Sequence, residues 1–164
     1  MRLQITKASH QVHLSGHVIA TGEPVLAIHL WNEHLPVQPP TGSDLAWATR
    51  FGRMFVKSLH ILGGYLREHP ELSHLHAVYG ATALFSPFTR SGGQELMVRW
   101  GFTVLPYHSP LGRFGEFWEN FYSWWVIWAY NPPSMRQHRM SGLRRSEVWI
   151  LTEEFLRRYG THRL

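Results

Sequence analysis

The residues best placed to do chemistry are His29, Asn32, Glu33 and His34, in the run AIHLWNEH. An imidazole and a carboxylate this close in sequence can serve as acid and base on a polar substrate, which makes His29 and Glu33 the candidate catalytic pair. Asn32, with Arg50 and Thr82 from other parts of the chain, would complete a small ligand-binding pocket. The competing reading is structural, with His29 hydrogen-bonded in the core and Glu33 paired with an arginine. His10, His13 and His17 would line one side of a helix, which is a metal-site geometry, but their segment reads as strand. There His13 and His17 share a face about 13 Å apart, too far to hold one ion, and His10 faces away. No metal and no cofactor is expected.

Several reaction classes are disfavoured outright. Asp44 is the only aspartate, and no serine sits in a Gly-x-Ser-x-Gly elbow, which speaks against a serine hydrolase. The chain has no cysteine, which removes thiolate nucleophiles, disulfide scaffolds and cysteine-ligated clusters. Ser91-Gly92-Gly93 and the glycines of LGRFG (111–115) lack the spacing that cradles phosphate. A glycosidase would need two facing carboxylates, and nothing in the spacing of the ten glutamates brings two together.

The elements that must position these groups are readable from periodicity. PVLAIHLWN (24–32) is continuously apolar, as in a central strand covered on both faces. Upstream, weaker alternation at Leu3, Ile5, Val12, Leu14 and Val18 suggests a hairpin closed around Lys7 to His10 and a turn at Thr21-Gly22. Ala48, Phe51, Phe55, Leu59, Leu62 and Leu66 follow helical spacing behind Ser43 or Asp44 as cap, with Pro70 as the stop. Gly63-Gly64 should bend or shorten that helix. LHAVYGATAL (75–84) reads as a strand. Leu96, Val98, Trp100, Phe102 and Val104 alternate most cleanly of all and predict another. RRSEVWIL gives a last strand, and EEFLRRYG a last helix stopped by Gly160. The expected fold is therefore α+β. One domain (1–164) should hold a mixed, mainly antiparallel sheet of about five or six strands, packed by a long amphipathic helix, an aromatic-rich helix and a short C-terminal helix.

The aromatic helix RFGEFWENFYSWWVIWAYN (113–131) leaves only Glu116, Glu119, Asn120 and Ser123 as a polar stripe. Burial on several sides within the domain leads the expectations. A homodimer interface through 113–130 comes second, and a membrane-surface anchor with Arg113, Arg136 and Arg139 on lipid phosphates third. The formal charge of +5 favours anionic partners, including a charged carbohydrate. Nucleic acid is disfavoured, because the aromatics sit in one helix and the basic residues are scattered. The N-terminus has no signal-like apolar run and no stretch reaches the length of a membrane span, so a cytoplasmic location is expected, with the inner membrane face as a peripheral site.

Taken together, AIHLWNE (27–33), LREHPEL (66–72), AVYGATAL (77–84), GFTV (101–104) and EVWILTEEFLRRYG (147–160) resemble the YkoP-like domain of bacteria. That domain occurs alone or appended to polysaccharide deacetylases. The resemblance implies a setting near cell-envelope polysaccharide and carries over no catalytic residue; the deacetylase's metal-binding histidines and aspartate have no counterpart here. It points to an accessory or binding protein of polysaccharide metabolism. A small hydrolase or transferase acting on sugars or acyl-sugars is the alternative, and a peripheral membrane or anionic-polymer module the second.

Overall fold

Apolar runs become strands here, but they pair across long sequence distances. The computed structural model describes residues 1–29, 36, 39, 44–82, 92–107, 109, 112–130 and 145–161. In chain order the elements are β1 (Arg2–Lys7), β2 (Val12–Leu14), β3 (His17–Ile19), β4 (Pro24–His29), α1 (Leu45–Glu68), β5 (Ala77–Thr82), α2 (Gly92–Arg99), β6 (Thr103–Pro106), α3 (Gly112–Tyr130), β7 (Ser146–Leu151) and α4 (Thr152–Tyr159). Five strands form one sheet in the order β1-β4-β5-β7-β6, and β2 with β3 forms a separate ribbon. β4 and β5 run parallel on either side of the α1 crossover, while the other pairs are antiparallel. The fold is thus a single α+β domain on a mixed, mainly antiparallel sheet, as the periodicity indicated.

Two details of the sheet differ from expectation. The centre is β5, and β4 lies one strand in from the β1 edge. β1 does not fold back on β2; it pairs with β4, Leu3 opposite Ile28. Backbone bonds from Gly22 N–H to Ala8 C=O at 2.8 Å and from Ala8 N–H to Glu23 C=O at 2.9 Å extend that pairing, so the ribbon is an excursion between two paired strands. The ribbon turns at Ser15-Gly16 with φ of 45° and 85°, the two-residue geometry whose twist suits antiparallel strands.

Each strand face serves its own core. Asp44 caps α1 by accepting the Trp47 N–H at 2.6 Å. The buried stripe Phe51, Phe55, Leu59, Leu62 and Leu66 packs with Leu26, Ile28, Val78, Val148 and Ile150. On the opposite face Val12, Leu14 and Ile19 of the ribbon cover Val25, Ala77 and Trp149. α1 neither bends nor stops at Gly63-Gly64 but runs on to Glu68. Gly63 is where α4 approaches: a Cβ there would lie 2.4 Å from the Tyr159 carbonyl oxygen.

The clean alternation from Leu96 to Val104 is not one strand. α2 continues to Arg99 and β6 begins only at Thr103. Phe102 N–H donates to Met97 C=O at 3.0 Å and Gly101 N–H to Val98 C=O at 2.9 Å, with Gly101 at φ 88°, which is a Schellman helix end. Met97 and Phe102 are both buried and Val98 is 57% exposed, so helical spacing decides what is inside until the glycine.

α3 is a helix as expected, but the chain does not bury it. Phe114, Phe117, Trp118, Phe121, Tyr122, Trp125 and Trp128 are 39–70% exposed. Burial within the domain, the leading expectation for this helix, is therefore overturned. No helix among the described residues is long and apolar enough to cross a membrane.

Candidate functional site

The ribbon-side face of the sheet gathers the chain's most constrained polar groups. Tyr79 of β5 lies opposite Trp149 of β7, Ala81 opposite Glu147, and Leu105 of β6 also opposite Glu147. Antiparallel partners share a face, so these side chains converge. The Tyr79 and Trp149 rings lie 4.4 Å apart at 41°. The Trp149 indole N–H donates to Glu147 Oε2 at 2.8 Å. His10, ahead of the ribbon, brings Nε2 within 3.4 Å of the same oxygen and stands edge-on to the Trp149 ring. Glu147 has no solvent exposure at all. A carboxylate so placed is tolerable only with donors around it, and the Trp149 indole N–H is one of them.

A second polar group adjoins it. Arg145 donates through Nη1 to Glu119 Oε2 at 3.3 Å and through Nη2 to the Glu119 carbonyl at 2.9 Å. Ser109 Oγ donates to the other carboxylate oxygen at 3.2 Å. The Arg145 guanidinium lies 5.7 Å from the centroid of the Tyr107 ring. Burial, and then the hydrogen bond to Glu119, pushes the Tyr107 phenol up to about 12. Burial raises Tyr79 well above its ordinary value too, with the Glu147 carboxylate as the next cause. Both phenols are thus neutral hydrogen-bonding groups across the physiological range.

Tyr79, Tyr107 and Trp149 line a cavity of about 150 Å³ together with Thr6, Lys7, Ser9 and the apolar Ala8 and Val25. The volume is below the roughly 300 Å³ at which drug-sized ligand sites begin, so it suits one small ring or the end of a longer molecule. Ring faces can receive C–H groups, while the hydroxyls and the Lys7 ammonium offer polar contacts. Among the described residues, no three His, Asp or Glu side chains come together in a way that could hold a metal ion.

Of the residues singled out from sequence, His29, Arg50 and Thr82 do not line this cavity. His29, expected in the core if structural, is exposed at the end of β4, and its Nε2 pairs with Gln4 Oε1 of β1 at 3.2 Å. Thr82 ends β5 on the helix-side face with Val78, whereas Ala27 and His29 take the ribbon side with Tyr79. Arg50 is exposed on α1. His29, Arg50 and Thr82 therefore do not form one pocket, and Asn32 and Glu33 lie outside the described residues. His13 and His17 sit on different strands of the ribbon, where Leu14 opposes His17 and Val18 opposes His13, so they do not share a face.

Sequence reasoning missed His10, Tyr79, Tyr107, Arg145 and Glu147 as a site and took Glu119 only as part of a helix stripe. One signal was there: in SEVWIL the glutamate sits two positions before a tryptophan inside an apolar strand, and alternation puts both on one face.

No curated protein and no solved structure matches the chain. The YkoP domain family matches it over residues 7–159, nearly the whole sequence. The resemblance carried by AIHLWNE, AVYGATAL and EVWILTEEFLRRYG thus extends from the end of β1 through α4, and the chain belongs to the YkoP domain family.

Proposed function

We propose that this domain is a non-catalytic accessory module that binds a carbohydrate of the cell envelope, holding one sugar ring or chain end against Tyr79 and Tyr107, with the buried Trp149 packed against Tyr79. The observation that carries the reading is the small cavity that Tyr79 and Tyr107 line together with Lys7, Thr6 and Ser9. A sugar ring presents an apolar face and polar edges, and a site for it needs aromatic surface with hydrogen-bonding groups around it. Lys7 adds a preference for rings that carry a carboxylate, a phosphate or an acyl oxygen. Glu147 sits behind the wall, bonded to Trp149, and its part is to hold that ring in place. The setting in envelope polysaccharide is what the family resemblance implies.

Calorimetric titration with acetylated and deacetylated amino-sugar oligomers tests this. Saturable binding is expected, weakened about tenfold in Lys7→Gln and in Tyr107→Ala, which corresponds to about 1.4 kcal/mol. No oligomer should be cleaved or modified. Absence of binding to every oligomer would defeat the proposal.

A catalytic reading is favoured by one observation, the 3.4 Å approach of His10 to Glu147. In that case His10 would be the proton-transferring group, oriented by the carboxylate. Turnover of an oligomer that is lost in His10→Gln would replace the accessory reading with this one.

A further inference from the structure

α3 is attached to the domain the reverse of the usual way round. At about 100° per residue, Glu116, Glu119, Asn120 and Ser123 fall on one side of the helix. Phe114, Phe117, Trp118, Phe121, Tyr122, Trp125 and Trp128 fall on the opposite side. Glu119 ties the polar side to the body through Arg145 and Ser109. The aromatic side faces outward, with every one of those seven rings more than a third exposed. An exposed aromatic face this large goes beyond the few hundred Å² that isolated monomers carry and marks an interaction surface.

We infer that this face is a docking surface for an anionic lipid membrane, with α3 lying in the interface plane. Charge complementarity selects this occupant over a second copy. The chain has sixteen lysines and arginines against eleven acids, a net +5, so two copies repel while an anionic lipid surface attracts. The sequence that follows α3, residues 131–144, holds Arg136, Arg139 and Arg144 and no acid. Residue type points the same way. Trp and Tyr settle at the headgroup boundary because the ring is apolar while the N–H or O–H can stay hydrated, whereas a dry protein interface would have to supply each of them with an acceptor. Two carboxylates opposite the aromatic side, Glu119 tied to the body and Glu116 exposed, keep the helix from being a spanning segment and suit one that lies flat.

The test uses the full chain with two kinds of vesicle, phosphatidylcholine alone and phosphatidylcholine with phosphatidylglycerol, beside the double variant Trp118→Ser/Trp125→Ser. Both tryptophans are half-exposed, so the variant should keep the wild-type melting temperature. Sedimentation should show capture by the phosphatidylglycerol vesicles with a blue shift of tryptophan emission, and a loss of capture of about tenfold or more in the double variant. Capture that survives the double substitution unchanged would assign binding to charge alone and overturn the role of the aromatic face. A lipid-free dimer that the double variant dissociates, with no vesicle capture, would overturn the membrane and make the face a seat for a second copy.

Discussion

Glu147 is a carboxylate carried into an apolar interior, and its neighbours make that tolerable. With no exposure and the Trp149 indole donating to it at 2.8 Å, it is an acceptor that the core requires. Glu147→Leu is expected to cost about 1–3 kcal/mol in urea unfolding, because the indole N–H is left unpaired while buried. Glu147→Gln keeps an acceptor at that place and should cost less. Equal losses in the two variants would show that the charge, not the acceptor, matters. The phenols give a second expectation at this scale. Tyr107 is held protonated to about 12 in the folded chain, while an unfolded phenol ionises near 10. Above pH 10 the unfolded chain therefore releases protons that the folded one keeps. The stabilisation is complete below about pH 10 and is lost as the pH rises towards 12. Absorbance at 295 nm should show Tyr79, Tyr107 and Tyr159, all raised chiefly by burial, ionising late and together with unfolding. A single phenol transition near 10 with the fold intact would contradict the buried placement. Little of this was legible in the sequence. His10, Tyr79, Tyr107, Arg145 and Glu147 come from distant positions, and only strand pairing brings them to one place.

Adjacent glycines in α1 separate propensity from packing. Gly64 has open space where a side chain would go, so Gly64→Ala should stabilise by about 0.5–1 kcal/mol through helix propensity. Gly63 meets the α4 backbone, and Gly63→Ala should destabilise by about 1–3 kcal/mol because α4 must move away. Thermal unfolding of the pair measures both, and equal effects of the same sign would refute the close α1–α4 approach. From sequence the two were one feature, a bend, because nothing local distinguishes them. The α2–β6 boundary failed for a related reason. Leu96, Val98, Trp100, Phe102 and Val104 satisfy a period of two by accident, and the telling residue was Gly101, flanked by Met97 and Phe102 at the spacing of a helix end. The α1 stripe was read correctly, since that signal is long and repeats many times, and of the two caps offered, Ser43 and Asp44, it is Asp44 that caps.

At the scale of the whole molecule, the fold class was legible from the run of strands β1 to β4 ahead of the first helix, although helices then separate β4, β5, β6 and β7. The strand order was not, since β1 skips the ribbon to reach β4 and β5 takes the centre. The expectation of a site at the end of β4 rested on a rule for open parallel sheets, and only β4 with β5 is parallel here. Asn32 and Glu33 of that site lie outside the described residues, and the polar groups that are described gather on the face shared by the antiparallel strands β5, β6 and β7. On the proposed function, this face holds a sugar. The Trp149 indole proton reports on it directly, because its nitrogen bonds Glu147 behind the cavity wall while its ring lines the cavity. Nitrogen-15 labelling gives one indole signal for each of the eight tryptophans, and Trp149→Phe assigns the one that matters. Titration with amino-sugar oligomers should shift the Trp149 signal saturably while the exposed Trp118, Trp125 and Trp128 stay in place. A Trp149 signal that does not move at saturating oligomer would contradict the account.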